Sequence, residues 1–197
     1  MPDLLPLFLN LRGRRVVMVG AGPVAASKLT SLLAAGADVV VVAPEVHPEI
    51  SAAGVTVCQR AFAPTDLDGA WLVVAAAPPT VNRQVADAAE ERRLIVNAVD
   101  DPPNATAYLG GVVRRDGVTL AISTSGVAPA IAGLLREAID AVLPADVADW
   151  MTVARASRAE WKRDGVPMAE RRPLLLRALN RLYDERAAAS PAEAPVR

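Results

Sequence analysis

Short runs of β-branched and other apolar residues alternate with amphipathic stretches through the first half of the chain. The apolar runs predict five strands, at residues 15–19, 37–44, 54–60, 70–77 and 94–99. The spacing of apolar residues between them predicts helices at residues 23–35 and 80–93. Strands that are apolar throughout are typical of a sheet buried on both faces. The alternation therefore predicts an α/β fold with a mainly parallel sheet and helices on both faces.

The pattern changes in the second half of the chain. Residues 111–123 contain two strand-like runs joined by Arg-Asp-Gly, which indicates a small β-hairpin rather than a crossover. Helices are predicted after it at residues 128–142, 145–158 and 173–185. We therefore divide the chain into domains at 1–112, 113–144 and 145–188, and predict that the Ala- and Pro-rich tail 189–197 is disordered.

Several large side chains have predicted positions. Four apolar side chains of the first helix are expected to face the sheet: Val24, Leu29, Leu32 and Leu33. Trp71 heads a buried strand and is expected in the core, whereas Trp150 and Trp161 are expected to pack the C-terminal helices.

Composition narrows the functional classes. The 21 basic and 22 acidic residues nearly cancel, so no overall field would attract a nucleic acid or an anionic membrane. Cys58 and His47 are the sole cysteine and histidine, which excludes an internal disulfide and a Cys/His metal cluster within one chain. His47 itself is expected at the surface. A reducing cytoplasm is the natural setting, and we expect neither a signal peptide nor a membrane helix.

A glycine-rich turn follows the first predicted strand. Residues 20–25, Gly-Ala-Gly-Pro-Val-Ala, fit G-x-G-x-x-G/A between a strand and a helix, the context in which this motif binds dinucleotides. Gly20 would allow the tight turn and Gly22 the approach of a pyrophosphate, while Ala25 would keep helix and strand close. The phosphates would meet free N–H groups and the positive end of the helix dipole. The alternative is a turn that binds nothing.

The end of the second strand bears on which dinucleotide would bind. It reads Ala43-Pro44-Glu45, without an acidic residue at the strand tip where a ribose hydroxyl is usually held. Glu45 offers a looser contact. No arginine follows the strand to accept a 2′-phosphate, which favours NAD over NADP.

Four segments together resemble a known family. They are GAGPVAASK, LLAAGADVVVVAP, VNRQVADAAEERRLIVNAVDD and LAISTSGVAPAIAGLLREAI, and they lie between about Leu4 and Pro144. Their order and spacing resemble those of the precorrin-2 dehydrogenase/sirohydrochlorin ferrochelatase of siroheme biosynthesis, which is also the N-terminal module of siroheme synthase. The implied fold is a Rossmann-like domain, a hairpin and helix dimerisation segment, and a helical C-terminal domain.

The resemblance also implies an activity and its residues. It implies oxidation of the tetrapyrrole precorrin-2 to sirohydrochlorin with NAD, insertion of Fe²⁺ as a substrate metal, and a homodimer interlocked after the hairpin. The aspartate implicated in both activities corresponds to Asp100, in the segment Asn97-Ala98-Val99-Asp100. The implied nucleotide contacts are Pro23, Val24, Pro44 and Glu45.

The chain departs from the family pattern at positions near the expected cleft. Ser27 replaces an arginine, Ala77-Pro78 replaces Thr-Asp, Gly111 stands at a frequent proline and Gly133 at a frequent arginine. These changes remove polar and cationic groups. Two alternatives therefore stay open: a sensor or carrier that binds a nucleotide or tetrapyrrole without catalysis, and a chelatase without redox activity.

The chemistry expected of the reaction selects further residues. Dehydrogenation needs an acceptor for a proton, and Asp100 follows a central strand at the end where α/β sheets bind ligands. Asp101 is assigned to turn formation. Ser123, Thr124 and Ser125 either receive a substrate carboxylate or cap the following helix. Six arginines are candidates for the other carboxylates: Arg114, Arg115, Arg136, Arg155, Arg158 and Arg163, with Arg114 and Arg136 preferred. No metal ligand is assigned.

Overall fold

The structure is a computed structural model that describes residues 3–189. Its main sheet has five parallel strands in the order β3-β2-β1-β4-β5. Their bounds are β1 Arg15–Val19, β2 Asp38–Val42, β3 Thr56–Cys58, β4 Leu72–Ala75 and β5 Ile95–Ala98. All five predicted strands are present, and the predicted parallel α/β fold is confirmed.

Both faces of the sheet are covered, as the apolar runs predicted. On one face Val16, Met18 and Val74 pack against α1 (Pro23–Ala34) and α2 (Pro48–Ala52). On the other face the strands pack against α3 (Pro79–Glu91), whose Val85, Ala88 and Ala89 are buried. Successive strand residues thus enter opposite clusters, which explains why β1, β2 and β4 lack polar positions within their buried stretches.

Two burial predictions for α1 and one for a tryptophan are wrong. Val24 is 49% exposed and Leu33 is 38% exposed, because α1 packs against the sheet through a narrower face of two alanines and two leucines: Ala25, Ala26, Leu29 and Leu32. Trp71 is 53% exposed and lies one residue before β4. The Arg14 guanidinium lies 3.8 Å from its ring centroid, so the indole forms a cation–π contact at the amino-terminal end of the strands.

The second half forms a hairpin and three helices. Strands β6 (Gly111–Arg115) and β7 (Val118–Ile122) pair antiparallel, as predicted. The helices are α4 (Pro129–Val142), α5 (Val147–Arg163) and α6 (Met168–Ala189). Helix α6 begins before the predicted start at Pro173 and continues through it. The proline removes one helical N–H donor, a loss that the two flanking turns tolerate here.

The described chain divides into two compact units, residues 3–110 with 123–131 and residues 111–122 with 132–189. The domain boundaries predicted from the sequence stay predictions. Of the tail predicted as disordered, Ala189 ends α6 and residues 190–197 lie outside the described residues. Within the described residues, no helix has the length and apolarity needed to cross a bilayer.

The α5–α6 pair is joined by an aromatic contact and by ion pairs. Trp150 Nε1 donates to Tyr183 Oη at 2.6 Å, with the two rings edge to face. Arg186 binds both Asp146 and Asp149. The predicted packing role of Trp150 is confirmed by these contacts.

Candidate functional site

A cleft of about 730 Å³ opens at the carboxyl edge of the parallel sheet. Its walls come from the segments that follow β1, β2, β3 and β4. The predicted residues among its lining are Gly20, Gly22, Pro44 and Glu45. Pro23 and Val24 follow Gly22 directly in the first turn of α1, and both are exposed. The fold therefore brings the glycine turn and the end of β2 to one cavity, where a parallel α/β sheet binds its ligands.

Gly20 is required by the protein itself. Its φ is +100°, and a Cβ added there would lie 2.2 Å from the carbonyl oxygen of Ala76. Its N–H donates to the Val42 carbonyl at 2.9 Å, while the Ala76 N–H donates to the Val19 carbonyl at 2.8 Å. The ends of three strands meet at this glycine, so its presence has a structural explanation that needs no ligand.

Gly22 has no such explanation. It is the N-cap residue of α1 with a φ of −81°, a value that any residue adopts, and a Cβ added there would meet nothing within 4 Å. It nevertheless lines the cleft. A Cβ at this position would project into the cleft without touching the protein. The absence of a side chain therefore leaves room for a ligand, as the close approach of a pyrophosphate to the backbone requires.

The N-terminus of α1 offers unsatisfied donors next to Gly22. The first hydrogen bond of the helix runs from the Ala26 N–H to the Gly22 carbonyl at 3.0 Å. The N–H groups of Val24 and Ala25 therefore have no partner within the helix. No side chain caps this end, and no acidic residue lies in the first turn. The positive end of the helix dipole is free to meet phosphate oxygens.

The rest of the cleft is largely apolar. Ala61, Phe62, Pro78 and Val81 contribute walls of the kind that accommodate an adenine ring. The loop after β4 is held by the buried Asn82, whose Oδ1 accepts from the Ala77 N–H at 3.1 Å. The lining that the structure describes includes no lysine or arginine.

His47 joins the segment after β2 to the glycine turn. Its backbone N–H donates to the Ala21 carbonyl at 2.9 Å, and its Nδ1 accepts from the Glu49 N–H at 3.4 Å. The imidazole therefore caps the short helix α2, and the half-buried residue is less exposed than the surface position that we predicted. Within the described residues, no cluster of three or more His, Cys, Asp or Glu side chains could hold a metal ion.

An ion pair stands beside the cleft, between Arg60, which follows β3, and Asp66. The guanidinium binds both carboxylate oxygens, at 2.8 Å and 2.5 Å. The Ala63 N–H also donates to Asp66, at 2.8 Å. The hydrogen bond from Arg60 holds the pKa of Asp66 below its ordinary value, although burial acts in the opposite direction. Sequence analysis missed this pair, since nothing in the local pattern joins the two residues.

We expect this ion pair to contribute to the free energy of unfolding at neutral pH and to lose that contribution in acid. Because the folded-state pKa of Asp66 is lower than the unfolded-state pKa of about 3.9, the pair contributes fully above that pH and is lost as the pH falls through the folded-state pKa. Urea unfolding between neutral pH and about pH 2 should show a shallower acid-side loss of unfolding free energy for Asp66→Asn than for the wild type. Asp87→Asn, which removes an exposed carboxylate in an i,i+4 pair, is the control and should follow the wild-type curve. Parallel curves for wild type and Asp66→Asn would contradict the assignment.

Asp100 lies at the same edge of the sheet as the cleft but outside its lining. It follows β5, which pairs with β4, and the neighbouring Val99 N–H donates to the Ala75 carbonyl at 2.8 Å. Asp100 has a φ of +55° and is exposed. Among the described residues, no group hydrogen-bonds its carboxylate. The carboxylate is therefore available to an incoming molecule.

The turn after Asp100 is held by its own residues. Asp101 Oδ2 accepts from Asn104 Nδ2 at 2.9 Å, which agrees with the predicted turn role of Asp101. The buried Asn97 donates from Nδ2 to the Ala107 carbonyl at 2.9 Å and so fixes the returning segment against β5. The sequence resemblance placed Asn97 only within the segment that ends at Asp100, without a role of its own. A polar residue within an apolar run was the signal for this supporting role.

The segment Ser123, Thr124 and Ser125 packs beside that turn. A Cβ on the next residue, Gly126, would lie 3.1 Å from the Tyr108 ring and 3.5 Å from Pro102. The hydroxyls make local contacts, with Ser123 Oγ accepting from the Ser125 N–H and Thr124 Oγ1 from the Ala128 N–H. These contacts support the capping alternative.

The predicted substrate arginines belong to the second compact unit. Arg114 is exposed on β6, and Arg136 on α4 pairs with Glu137 at 3.1 Å. Arg115 is engaged in a different task, because it donates to the Leu143 carbonyl at 2.5 Å and to Asp140 at 2.8 Å. It caps the C-terminal end of α4 and is a structural residue.

Comparison with known proteins agrees with this geometry. Residues 7–111 match the family described as putative NAD(P)-binding. The siroheme synthase of Photorhabdus laumondii is 39% identical over 183 residues, which are 90% of this chain and 39% of that protein. The siroheme synthase of Zymomonas mobilis is 35% identical over 191 residues, 94% of this chain and 41% of that protein. The chain thus spans about two fifths of the length of these relatives.

A solved structure has the same fold. It is described as "SirC, precorrin-2 dehydrogenase", with a TM-score of 0.69, 24% sequence identity and coverage of 88% of each chain. Its similarity extends beyond the nucleotide-binding half, and the predicted Rossmann-like fold class is confirmed.

Proposed function

The chain belongs to the putative NAD(P)-binding family, and from that premise we propose that it oxidises precorrin-2 to sirohydrochlorin with NAD in siroheme biosynthesis. The observation that carries the proposal is the bare backbone at Gly22, which lines the cleft beside free amides of α1. The substrate follows the relatives named siroheme synthase and the neighbour named precorrin-2 dehydrogenase. A cytoplasmic location is part of the same proposal.

The dinucleotide would be held by groups already described. The amides of Val24 and Ala25 would meet the pyrophosphate, and Gly22 would leave room for it. Pro44 and Glu45, at the end of β2, would contact the ribose farther from the reacting ring. When bound, NAD supplies the acceptor for the two electrons that leave the substrate as a hydride.

Asp100 would handle the proton that leaves with the hydride. The carboxylate lies at the end of β5 without a protein partner among the described residues, so it can accept a proton from a substrate carbon or nitrogen. Since Asp100 is exposed, the proton can then pass to water. The products would be sirohydrochlorin, NADH and one released proton.

The carboxylates of the substrate need cationic or N–H partners. We assign them to Ser123, Thr124 and Ser125, whose turn packs near the one that carries Asp100, and to Arg114 and Arg136. Arg114 has no ion-pair partner among the described residues, and Arg136 pairs only with an exposed glutamate. Both guanidiniums can therefore exchange their solvent or glutamate contacts for a substrate carboxylate.

A direct assay tests the reaction. Purified chain is mixed with freshly made precorrin-2 and NAD, and the absorbance of NADH and of sirohydrochlorin is followed. Equal molar formation of both products supports the proposal. Nucleotide binding without product would instead favour a sensor or carrier, and metal insertion into sirohydrochlorin without NAD would favour a chelatase that lacks redox activity.

Insertion of Fe²⁺, the second activity implied by the resemblance, stays a prediction. Metal entry requires the pyrrole nitrogens to lose protons, which Asp100 could accept as it does in oxidation. Supplying Fe²⁺ and sirohydrochlorin anaerobically to the wild type and to Asp100→Asn, and following the siroheme spectrum, tests whether one carboxylate serves both steps.

We also propose that the chain forms a homodimer through α4. Ile131, Leu134 and Leu135 are 53%, 67% and 44% exposed, and Val142 is 78% exposed. Their spacing places them on one face of the helix. An apolar face of this kind marks an interface, and a second copy of this chain would cover it.

The dimer proposal predicts the outcome of one substitution. Leu134→Glu places a charge on the exposed apolar face of α4 and should convert a dimer into a monomer. Light scattering after size exclusion measures the mass. Glu137→Gln, at an exposed position off that face, is the matched control and should stay dimeric. A wild-type monomer, or a dimer that withstands Leu134→Glu, would contradict the proposal.

A further inference from the structure

We propose that Asp66 makes the cleft select NAD over NADP by holding Arg60 away from the ribose end of the cleft. The inference rests on the proposed function, because it presumes that the cleft binds a dinucleotide. The inference assigns cofactor specificity to a pair of residues. Asp66 acts through Arg60 and is therefore a positioning residue.

Three hydrogen bonds hold the guanidinium of Arg60. Nη1 donates to Asp66 Oδ2 at 2.8 Å and to the Ala61 carbonyl at 2.9 Å, and Nη2 donates to Asp66 Oδ1 at 2.5 Å. Such a two-pronged contact is the one that an arginine makes with a phosphate. Asp66 therefore occupies the donors that a 2′-phosphate would use.

The carboxylate is the fixed partner of the pair. The side chain of Asp66 is 8% exposed, and the Ala63 N–H holds its Oδ2 at 2.8 Å. The side chain of Arg60 is 51% exposed. If the negative charge of Asp66 is removed, the arginine has solvent on one side and room to adopt another rotamer.

The segment that carries Arg60 runs beside the ribose end of the cleft. The side chain of the preceding residue, Gln59, donates to the Pro44 carbonyl at 3.3 Å, which places this part of the chain next to Pro44 and Glu45. The following residues, Ala61 and Phe62, line the cleft. Arg60 stands between the residue that contacts Pro44 and the residues that line the cleft, so a released side chain can turn toward the site where Pro44 and Glu45 would hold the ribose.

The charge near that site explains the selection. Glu45 lines the cleft, and the described lining provides no lysine or arginine to balance a phosphate. A 2′-phosphate would bring two negative charges toward Glu45 without a compensating cation. A ribose hydroxyl would instead find an acceptor there. With Arg60 bound to Asp66, the site favours the hydroxyl.

Asp66→Asn tests the inference because asparagine keeps an oxygen for the Ala63 N–H but loses the charge that holds Arg60. Affinities for NAD, NADP and the probe 2′,5′-ADP are measured by titration calorimetry on the full chain. We expect the affinity of the variant for NADP and for 2′,5′-ADP to exceed that of the wild type by about tenfold or more. Its affinity for NAD should stay within about twofold of the wild-type value.

The double variant Arg60→Ala/Asp66→Asn separates this role from a merely structural one. It should lose the gain in NADP affinity, since no guanidinium remains to meet the phosphate. If Asp66→Asn does not fold, Asp66→Ser replaces it, because serine also keeps an oxygen for the Ala63 N–H. The same gain in NADP affinity is then expected for Asp66→Ser. Unchanged NADP affinity in a folded variant, or a gain that persists without Arg60, would overturn the inference.

The failure of the proposed function would look different. A wild type that binds NAD but does not oxidise precorrin-2 removes the proposed reaction and leaves this inference standing. A wild type that binds neither dinucleotide overturns both, and one that binds NADP as tightly as NAD overturns the inference alone.

Discussion

Asp100→Asn should lower the rate of NADH formation from precorrin-2 by about 10²- to 10⁴-fold, the range that a positioned proton acceptor contributes. The carboxylate is exposed at the end of β5 and has no hydrogen-bond partner among the described residues. An amide cannot take up the proton, so the oxidation would lose its acceptor. Single-turnover formation of NADH at saturating NAD measures the chemical step directly.

Asparagine is chosen because of the backbone at this position. Asp100 has a φ of +55°, a conformation that asparagine adopts more readily than alanine, so the turn should be retained. Asp101→Asn removes the neighbouring carboxylate, which accepts from Asn104, and is the matched control. We expect its rate to stay within a few-fold of the wild type. A wild-type rate for Asp100→Asn would remove Asp100 from the mechanism.

Gly22→Val should weaken NAD binding by about 100-fold or more, equivalent to about 2.8 kcal/mol, with little loss of stability. The added side chain meets no protein atom within 4 Å of its Cβ, and the φ of −81° suits valine. It would instead stand where the pyrophosphate must approach the backbone. Calorimetric titration with NAD and thermal unfolding without nucleotide give the two quantities.

Gly20→Ala is the contrasting variant from the same turn. Its Cβ would lie 2.2 Å from the Ala76 carbonyl oxygen, and its φ of +100° is unfavourable for alanine. We expect a loss of about 3 kcal/mol or more in unfolding free energy. If Gly22→Val binds NAD like the wild type while Gly20→Ala is unstable, the turn is structural and binds no pyrophosphate.

The accurate predictions concern features that are set by residues close together in the sequence. The first strand was predicted at its observed bounds, Arg15–Val19, because a buried apolar run ends there at a glycine turn. The third strand was predicted over 54–60 but spans only Thr56–Cys58. It lies at the edge of the sheet and pairs with β2 alone, so its length depends on a neighbour rather than on its own residues.

Predictions of side-chain surroundings were less accurate. Trp71 was assigned to the core from its place before a buried strand, yet Arg14 covers one face of its ring and the residue is half exposed. Arg115 looked equivalent to Arg114 in the sequence, but its guanidinium caps α4. Which arginines stay available depends on carboxylates and carbonyls far away in the chain.

The sequence by itself determined the order of strand, glycine turn and helix, and with it a parallel sheet whose carboxyl edge presents unpaired amides. These features follow from residues within a few positions of one another, and apolar periodicity and turn chemistry record them. Only the tertiary structure decided that a Cβ at Gly20 would collide with the Ala76 carbonyl, whereas a Cβ at Gly22 would contact no protein atom. It also decided that Arg60 binds Asp66. The approach of Gly20 to Ala76 joins distant segments of the chain, and the contact of Arg60 with Asp66 depends on how the loop after β3 folds, so neither is recorded in apolar periodicity or turn chemistry.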